Sequence, residues 1–258
     1  VKMDKNAILN ELLQIIAKYL KINIKISNNY TQNRQLFRGL CNQCLSLNGI
    51  DNKFYKLQDN LLSMEREEKG IVDVEQFVYK DNIVHINGDI TTLKADAIVN
   101  AANDNYLGCF VPCHNCIDNV IMSAAGFQMR EELFSLKDDK DYEKHKVKVT
   151  KGYNLPSTYV FNIAGPIVYG NVTKKNVEDL TNCYIYCLDK AKEMKLKNIV
   201  FCCISTGEFH FPNALACEIA VETVKKWLKE NDNYINVVFN TFKKLDKKLY
   251  DDRLSKEN

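Results

Sequence analysis

Three thiols and one imidazole fall within eight residues of this 258-residue chain, in the run Cys109-Phe110-Val111-Pro112-Cys113-His114-Asn115-Cys116. Thiolate sulfur and imidazole nitrogen are the donors zinc prefers, in tetrahedral geometry. Gly108 and Pro112 mark a turn-rich loop able to fold around an ion. Three buried thiols that happen to be neighbours are the plainer reading of the same spacing. If Cys113 supplies a fourth ligand the site is closed and structural. With three ligands it stays open to water or substrate.

Other chemistry-bearing groups sit at the ends of apolar runs. Ile204-Ser205-Thr206-Gly207-Glu208-Phe209-His210-Phe211-Pro212 links an apolar run to a helix that Pro212 is suited to start. Backbone N–H groups of such a loop can cradle phosphate, although a plain strand-to-helix turn reads the same way. Asp89, in Gly88-Asp89-Ile90-Thr91, can accept from an exocyclic amine or cap a turn. Asn100 and Asn103 end an apolar run where hydroxyl-bearing ligands are often held; asparagine also favours turns for its own sake. Asp118, beside the cysteine loop, is either a helix N-cap or a base for water or a ribose hydroxyl. Cys41 and Cys44 form a C-x-x-C inside an expected helix with no second pair. They read, like Cys183, Cys187, Cys202, Cys203 and Cys217, as packing thiols.

Something must hold these groups together, and the pattern of apolar residues says what. Ile8, Leu12, Ile15, Ile16 and Tyr19 lie on one helical face, predicting a helix over 4–21. Leu36, Leu40 and Cys44 predict a second between 28 and 47, and 57–69 a third, capped by Gly70. From residue 81 the character changes. Continuous apolar runs at 83–86, 97–102, 159–164, 199–204 and 235–239 predict strands covered on both faces. Helices are expected between them at 118–136, 177–194 and 212–229, which makes an α/β layer fold with a mainly parallel sheet. Ligands of such sheets bind at the carboxyl ends of the strands. The charged tail 243–258 is expected to fray.

Composition narrows the function classes. Thirty-five basic and 33 acidic residues leave a net charge of +2, which argues against a nucleic-acid coat or a polybasic membrane anchor. There is no apolar run of transmembrane length. Ten cysteines are too few for a disulfide scaffold of this size. With no signal-like start, they point to a reducing, cytoplasmic location.

Taken in order, Gly88-Asp89-Ile90-Thr91, Ala97-Ile98-Val99-Asn100-Ala101-Ala102-Asn103, Ile163-Ala164-Gly165-Pro166, Ile204 to Phe209 and Pro212 resemble the macrodomain family over about residues 81–242. Residues 108–119 resemble its zinc-containing branch, in which a helical extension precedes the macrodomain. Arg34-Gln35-Leu36-Phe37-Arg38 and Lys69-Gly70-Ile71-Val72 resemble pieces of that extension. The resemblance implies a mostly helical extension over 1–80 and a macrodomain over 81–258. The macrodomain would be a three-layer α/β/α sandwich with a mixed, largely parallel sheet and a zinc loop at 108–119. It implies a zinc-dependent protein-ADP-ribose hydrolase that removes mono-ADP-ribose from acidic side chains. The expected partners are ADP-ribose and mono-ADP-ribosylated protein, with neither nucleic acid nor membrane. Carried over position by position, Cys109, His114 and Cys116 match the zinc ligands. Asp89 and Ile90 match the adenine side. Asn100 and Asn103 match the distal ribose, with Asn103 orienting it. Ser205, Thr206, Gly207, Glu208 and Phe209 match the diphosphate and ribose loop, and Asp118 matches a catalytic base. Two residues depart from the pattern: Met122 stands where relatives usually have histidine, and Cys113 is an extra thiol. Both also suit a binding module with a structural zinc, and deacylation of O-acetyl-ADP-ribose is chemically close.

Overall fold

A computed structural model describes residues 3–255. Val1 and Lys2, and Lys256, Glu257 and Asn258 of the tail expected to fray, lie outside the described residues. The chain opens with three helices, α1 (Lys5–Leu20), α2 (Tyr30–Gln43) and α3 (Lys53–Lys69). Asp4 caps α1 by accepting from the Ala7 N–H at 2.8 Å, and Asn29 caps α2 by accepting from the Gln32 N–H at 3.0 Å. Leu9, Leu12, Leu13 and Ile16 of α1 meet Phe37 of α2 and Phe54 and Leu61 of α3 in a core of their own. At roughly 1.5–3 kcal/mol for each fully buried large side chain, this cluster holds the three helices together. Phe127, from far along the chain, plugs into it.

The second part is built on strands β1 (Val72–Asp73), β2 (Ile83–Asn87), β3 (Leu93–Lys94), β4 (Ala97–Ala102), β5 (Lys148–Lys151), β6 (Tyr159–Ala164), β7 (Asn198–Phe201) and β8 (Asn236–Thr241). β1 and β3 form a small parallel pair. The others form one sheet in the order β2-β8-β7-β4-β6-β5, parallel throughout except for β5, which runs antiparallel to β6. Helices cover it: α4 (Ile117–Ala125) and α5 (Gln128–Leu136), and α6 (Lys174–Glu193), α7 (Asn213–Glu230) and α8 (Lys244–Ser255). Every residue of β7, and all of β4 but Ala101, is buried, as a parallel strand sandwiched between helix layers must be. This is the expected macrodomain α/β arrangement. No helix among the described residues is long and apolar enough to cross a membrane.

Three sequence expectations are corrected. The helix expected over 118–136 is two helices, broken at Gly126. Its φ of 111° and the Gln58 Nε2 and Gln128 Oε1 atoms 2.9 and 2.8 Å from an added Cβ leave room only for glycine. β5 (Lys-Val-Thr-Lys) has no continuous apolar run because it is an edge strand. The tail does not fray over 244–255. Tyr250 is buried against the rings of His85 (5.6 Å) and Phe239 (5.2 Å), and Asp251 pairs with His85 Nδ1 at 2.8 Å.

The two cores are joined by a polar seam. Gln58 of α3 accepts from the Phe127 N–H at 2.9 Å, and Arg66 donates to the Asn154 carbonyl. The strongest joint is Arg130 of α5, which is 3% exposed. Its Nη1 donates to the carbonyls of Cys41 (3.2 Å), Asn42 (2.8 Å) and Cys44 (2.7 Å) at the end of α2, of which Cys41 also accepts from the Cys44 N–H. Its Nε and Nη2 donate to Leu107 and Cys109 carbonyls at 2.8 and 3.0 Å. The Phe110 ring lies 4.0 Å from the guanidinium carbon. We expect Arg130→Met to lower the unfolding free energy in urea by roughly 3–5 kcal/mol, the scale for losing one side of a buried ionic network. Arg130→Lys recovers only part of it, because an ammonium cannot reproduce the planar fork.

Candidate functional site

The carboxyl ends of β4, β6 and β7 converge on one mouth, and the groups singled out in the sequence lie around it. Asn100 of β4 stands in register with Asn162 of β6, and both are fully buried. Asn100 Nδ2 donates to Asn162 Oδ1 at 3.0 Å and to Asp118 Oδ1 at 2.8 Å, which uses both its protons. Two acceptors are then left buried without a partner, Asn100 Oδ1 and Asp118 Oδ2. Ser205 Oγ is a third orphan. Buried polar groups are normally satisfied, so three of them at one mouth call for a ligand that brings hydroxyl protons. Burial pushes the Asp118 carboxyl up, while the Asn100 hydrogen bond and the Arg130 charge draw it down; burial prevails. Asn103 meets Asp118 through its main-chain N–H, which favours the carboxylate, and not through its side chain. It donates to the Gly108 carbonyl at 3.1 Å and so fixes the start of the cysteine loop.

Beyond Gly108 the loop brings Cys109, His114 and Cys116 together, with one donor atom of each within 4.8 Å of the others. The edges of a tetrahedron with zinc bonds of about 2.0–2.3 Å are about 3.3–3.8 Å, so a shift of about an ångström closes the set. Two sulfurs and an imidazole fit zinc in donor type. Cys116 caps α4 by accepting from the Asn119 N–H at 3.4 Å. Burial, followed by the neighbouring Cys109 thiol, pushes the Cys116 thiol up to about 12. Glu208 Oε1 lies 3.7 Å from His114 Nε2, and His114 Nδ1 accepts from the Cys116 N–H at 3.3 Å, so a metal taken by either nitrogen displaces one of these contacts. Cys113 is outside this set. Its Sγ donates to the Gln35 carbonyl at 3.1 Å, and its backbone has φ of 54°. The fourth-ligand role weighed for it is therefore not the arrangement found. Met122 packs beneath Gly108, where its Cε lies 2.9 Å from an added Cβ.

The second loop runs from Ser205 to Phe211. The Phe211 N–H donates to the Ser205 carbonyl at 2.9 Å and the His210 N–H to the Gly207 carbonyl at 3.1 Å. Ser205 and His210 both have positive φ, 67° and 60°. The N–H groups of Thr206, Gly207, Glu208 and Phe209 donate to no group among the described residues. Val168 donates to the Phe209 carbonyl at 2.9 Å, tying the Gly165-Pro166 segment alongside.

Asp89 lies past the end of β2, at the mouth's far side. Its Oδ1 accepts from Thr91 N (2.9 Å) and Thr91 Oγ1 (2.6 Å), the cap role weighed for it, while Oδ2 lies 3.4 Å from Lys69 Nζ. Burial raises its carboxyl, but the Thr91 hydrogen bonds and the Lys69 charge outweigh that and hold it below the usual range. The Ile90 side chain is buried in the core, so only its main chain can meet a ligand. Phe242, which follows β8, carries no motif in the sequence and is 77% exposed. Its neighbour Thr241 accepts from the Gly88 N–H at 2.9 Å, so Phe242 leaves the strand end next to the Gly88-Asp89 segment. Arg38 enters the sequence analysis only within the Arg34–Arg38 segment, and the hold that Arg38, Asn42 and Arg130 have on the cysteine loop has no signature motif there. The available signal was an arginine on the apolar face of α5, three residues from Phe127 and from Leu133.

The Macro domain family model matches residues 99–220. A protein-ADP-ribose hydrolase of Staphylococcus aureus is 40% identical over 228 residues, 86% of this chain and 85% of that one. The chain belongs to the Macro domain family. A protein-ADP-ribose hydrolase of Treponema medium is 41% identical over 79% of this chain and 80% of its own. Among solved structures, the Oceanobacillus iheyensis macrodomain with ADP superposes with a TM-score of 0.61 at 31% identity, covering 70% of this chain and 94% of that one. Within this macrodomain Gly165 is held by close approach: an added Cβ would lie 2.1 Å from Ser205 Oγ and 2.7 Å from Ile204 Cγ2. We expect Gly165→Ala to push the 205–211 loop aside and lower the unfolding free energy in urea by roughly 1–3 kcal/mol.

Proposed function

We propose that this macrodomain is a protein-ADP-ribose hydrolase that releases mono-ADP-ribose from acidic side chains. The observation that carries this reading is the trio of orphaned buried polar atoms, Asp118 Oδ2, Asn100 Oδ1 and Ser205 Oγ, beside the Cys109–His114–Cys116 set. Two acceptors without donors suit the hydroxyls of a ribose. The names of the relatives and the ADP in the similar structure agree with it.

In this reading Asp89 Oδ2 accepts from the adenine amine and Phe242 covers the base. The free N–H groups of 206–209 hold the diphosphate. Asn100 and Asp118 accept from the distal ribose hydroxyls, and Asn103 keeps the loop above them in place. Hydrolysis adds water across the ester: the bond between the anomeric position and the carboxyl group breaks, the ribose leaves with an anomeric hydroxyl and the protein regains its carboxylic acid. Asp118, with a raised affinity for protons and its Oδ2 free, takes the proton from the attacking water or from a ribose hydroxyl and returns it to the leaving group. Cys109, His114 and Cys116 are the residues that would hold zinc. When bound, it supplies Lewis acidity next to the ribose and can bring water toward a pKa of roughly 7. We further propose that residues 1–80 form an extension and 81–258 the macrodomain.

The test is release of free ADP-ribose from a glutamyl-modified protein, followed by chromatography. The wild-type protein releases it; Cys116→Ala, or prior treatment with a strong chelator, abolishes release. Full turnover in verified metal-free protein would remove zinc from the reaction, and tight binding with no release would make this a binding module. Asp118→Ala is expected to lower kcat at least about 10²-fold, the lower end for a general base; wild-type turnover would exclude it from that role. Phe242→Ala is expected to weaken ADP-ribose binding, measured by calorimetry, by roughly 1–3 kcal/mol, the scale of one base–aromatic stack.

A further inference from the structure

α2 has two working faces. Phe37, Leu40 and Cys44 turn toward the α1–α3 core. The opposite stripe, Gln35, Arg38, Gly39 and Asn42, follows the i, i+3, i+4, i+7 spacing of a single face. On a surface helix such a stripe would be solvated; here it lies against the cysteine loop and α4. Gln35 accepts from Cys113 Sγ at 3.1 Å. Arg38 Nη2 donates to the His114 carbonyl and to Asn119 Oδ1, both at 2.8 Å, and its Nε donates to Asn119 Oδ1 and Ser123 Oγ at 3.1 Å. Asn42 Oδ1 accepts from the Cys113 N–H at 2.9 Å and from Asn119 Nδ2 at 3.3 Å. Gly39 is the close-approach point, since an added Cβ would lie 3.4 Å from Pro112 Cβ and 3.6 Å from Cys113 Sγ.

Arg130 holds the start of the loop through the Cys109 carbonyl and the Phe110 ring; residues 111–115 have fewer supports. Within the loop, the His114 N–H donates to the Val111 carbonyl at 3.2 Å and the Cys116 N–H to His114 Nδ1 at 3.3 Å. Asn119 Nδ2 donates to the Val111 carbonyl at 2.9 Å, but Asn119 is itself held by Arg38 and Asn42. Cys113 has φ of 54°, a left-handed conformation that a non-glycine residue keeps only where its surroundings enforce it. Those surroundings are α2: both the Cys113 N–H and its Sγ end on that helix.

We propose that α2 is a splint for the Cys109–Cys116 loop, with Arg38 and Asn42 as positioning residues that fix the separation of Cys109, His114 and Cys116. The helical extension is then part of the site, not an appendage to it. The consequence for metal rests on the zinc reading above; the positioning itself rests on the contacts alone.

The experiment compares full-length wild type with Arg38→Ala, Arg38→Lys and Asn42→Ala. In chelator-treated protein, alkylation rates at Cys109, Cys113 and Cys116 are read peptide by peptide by mass spectrometry, with Cys217 of α7 as internal reference. Arg38→Ala and Asn42→Ala are expected to raise all three loop rates at least about tenfold and leave Cys217 unchanged. Arg38→Lys, which keeps charge but loses the fork, gives an intermediate rise and serves if Arg38→Ala does not fold. Val224→Ala, in the distant sheet core, lowers the melting temperature and leaves the loop rates at wild type. Loop rates unchanged in the α2 variants, or raised equally in Val224→Ala, overturn the proposal. Cobalt(II) titration, read by thiolate absorption, adds the metal arm, with affinity expected to fall about 10–100-fold in the α2 variants. A wild type that takes up no cobalt sinks the zinc reading, and the alkylation rates then still decide the splint.

Discussion

One buried charge organises the molecule. Arg130 lies where the end of α2, the cysteine loop and α5 meet, and it is removed from water almost completely. A lone guanidinium there would be costly to desolvate. Five main-chain carbonyls, from Cys41, Asn42, Cys44, Leu107 and Cys109, replace its water. The same bonds satisfy carbonyls at the end of α2, where a cation is also favoured by the helix dipole. Because the carbonyls belong to segments far apart in sequence, the cation can be satisfied only if all of them are in place. This couples the formation of the loop to the packing of α2.

The opposite condition holds a short distance away. Asn100, Asp118 and Ser205 keep polar atoms buried and unpaired. Each nitrogen of Arg130 has a partner, while the mouth beside it holds three of the seven buried side-chain atoms that lack one among the described residues. That contrast separates a region built for stability from one built to be completed by a ligand. Asp118 feels both, because its charged form is opposed by burial and favoured by Arg130. The N-terminal helices reach Asp89 too, where Lys69 of α3 lies against Asp89 and Thr91. They thus bear on both ends of the site.

Much of this was legible from residue order. Continuous apolar runs announced the parallel strands because a strand covered on both faces has no polar face to show. The ordered motifs announced the family, since several short segments in fixed sequence are more specific than any one of them. β5 was missed because an edge strand with lysines at both ends has no such run. The order of 244–255 is hidden in the sequence because Tyr250 is the one fully buried apolar side chain of α8, set among charges, and its partners His85 and Phe239 lie far from it in sequence.

By itself, then, the sequence determined the layer class, the family resemblance and the concentration of thiol, imidazole and carboxylate near residues 109–118. These are properties of local composition and periodicity, which neighbouring residues carry. Only the tertiary structure decided that Cys113 turns to Gln35 while Cys109, His114 and Cys116 converge. It alone decided that Asp118 keeps one oxygen unpaired, and that the polar face of α2 is buried. Each of those outcomes depends on which hydrogen-bond partner a group finds across 18 to 89 residues of chain. No local pattern encodes that choice, because a buried polar group takes whatever partner packing brings within reach.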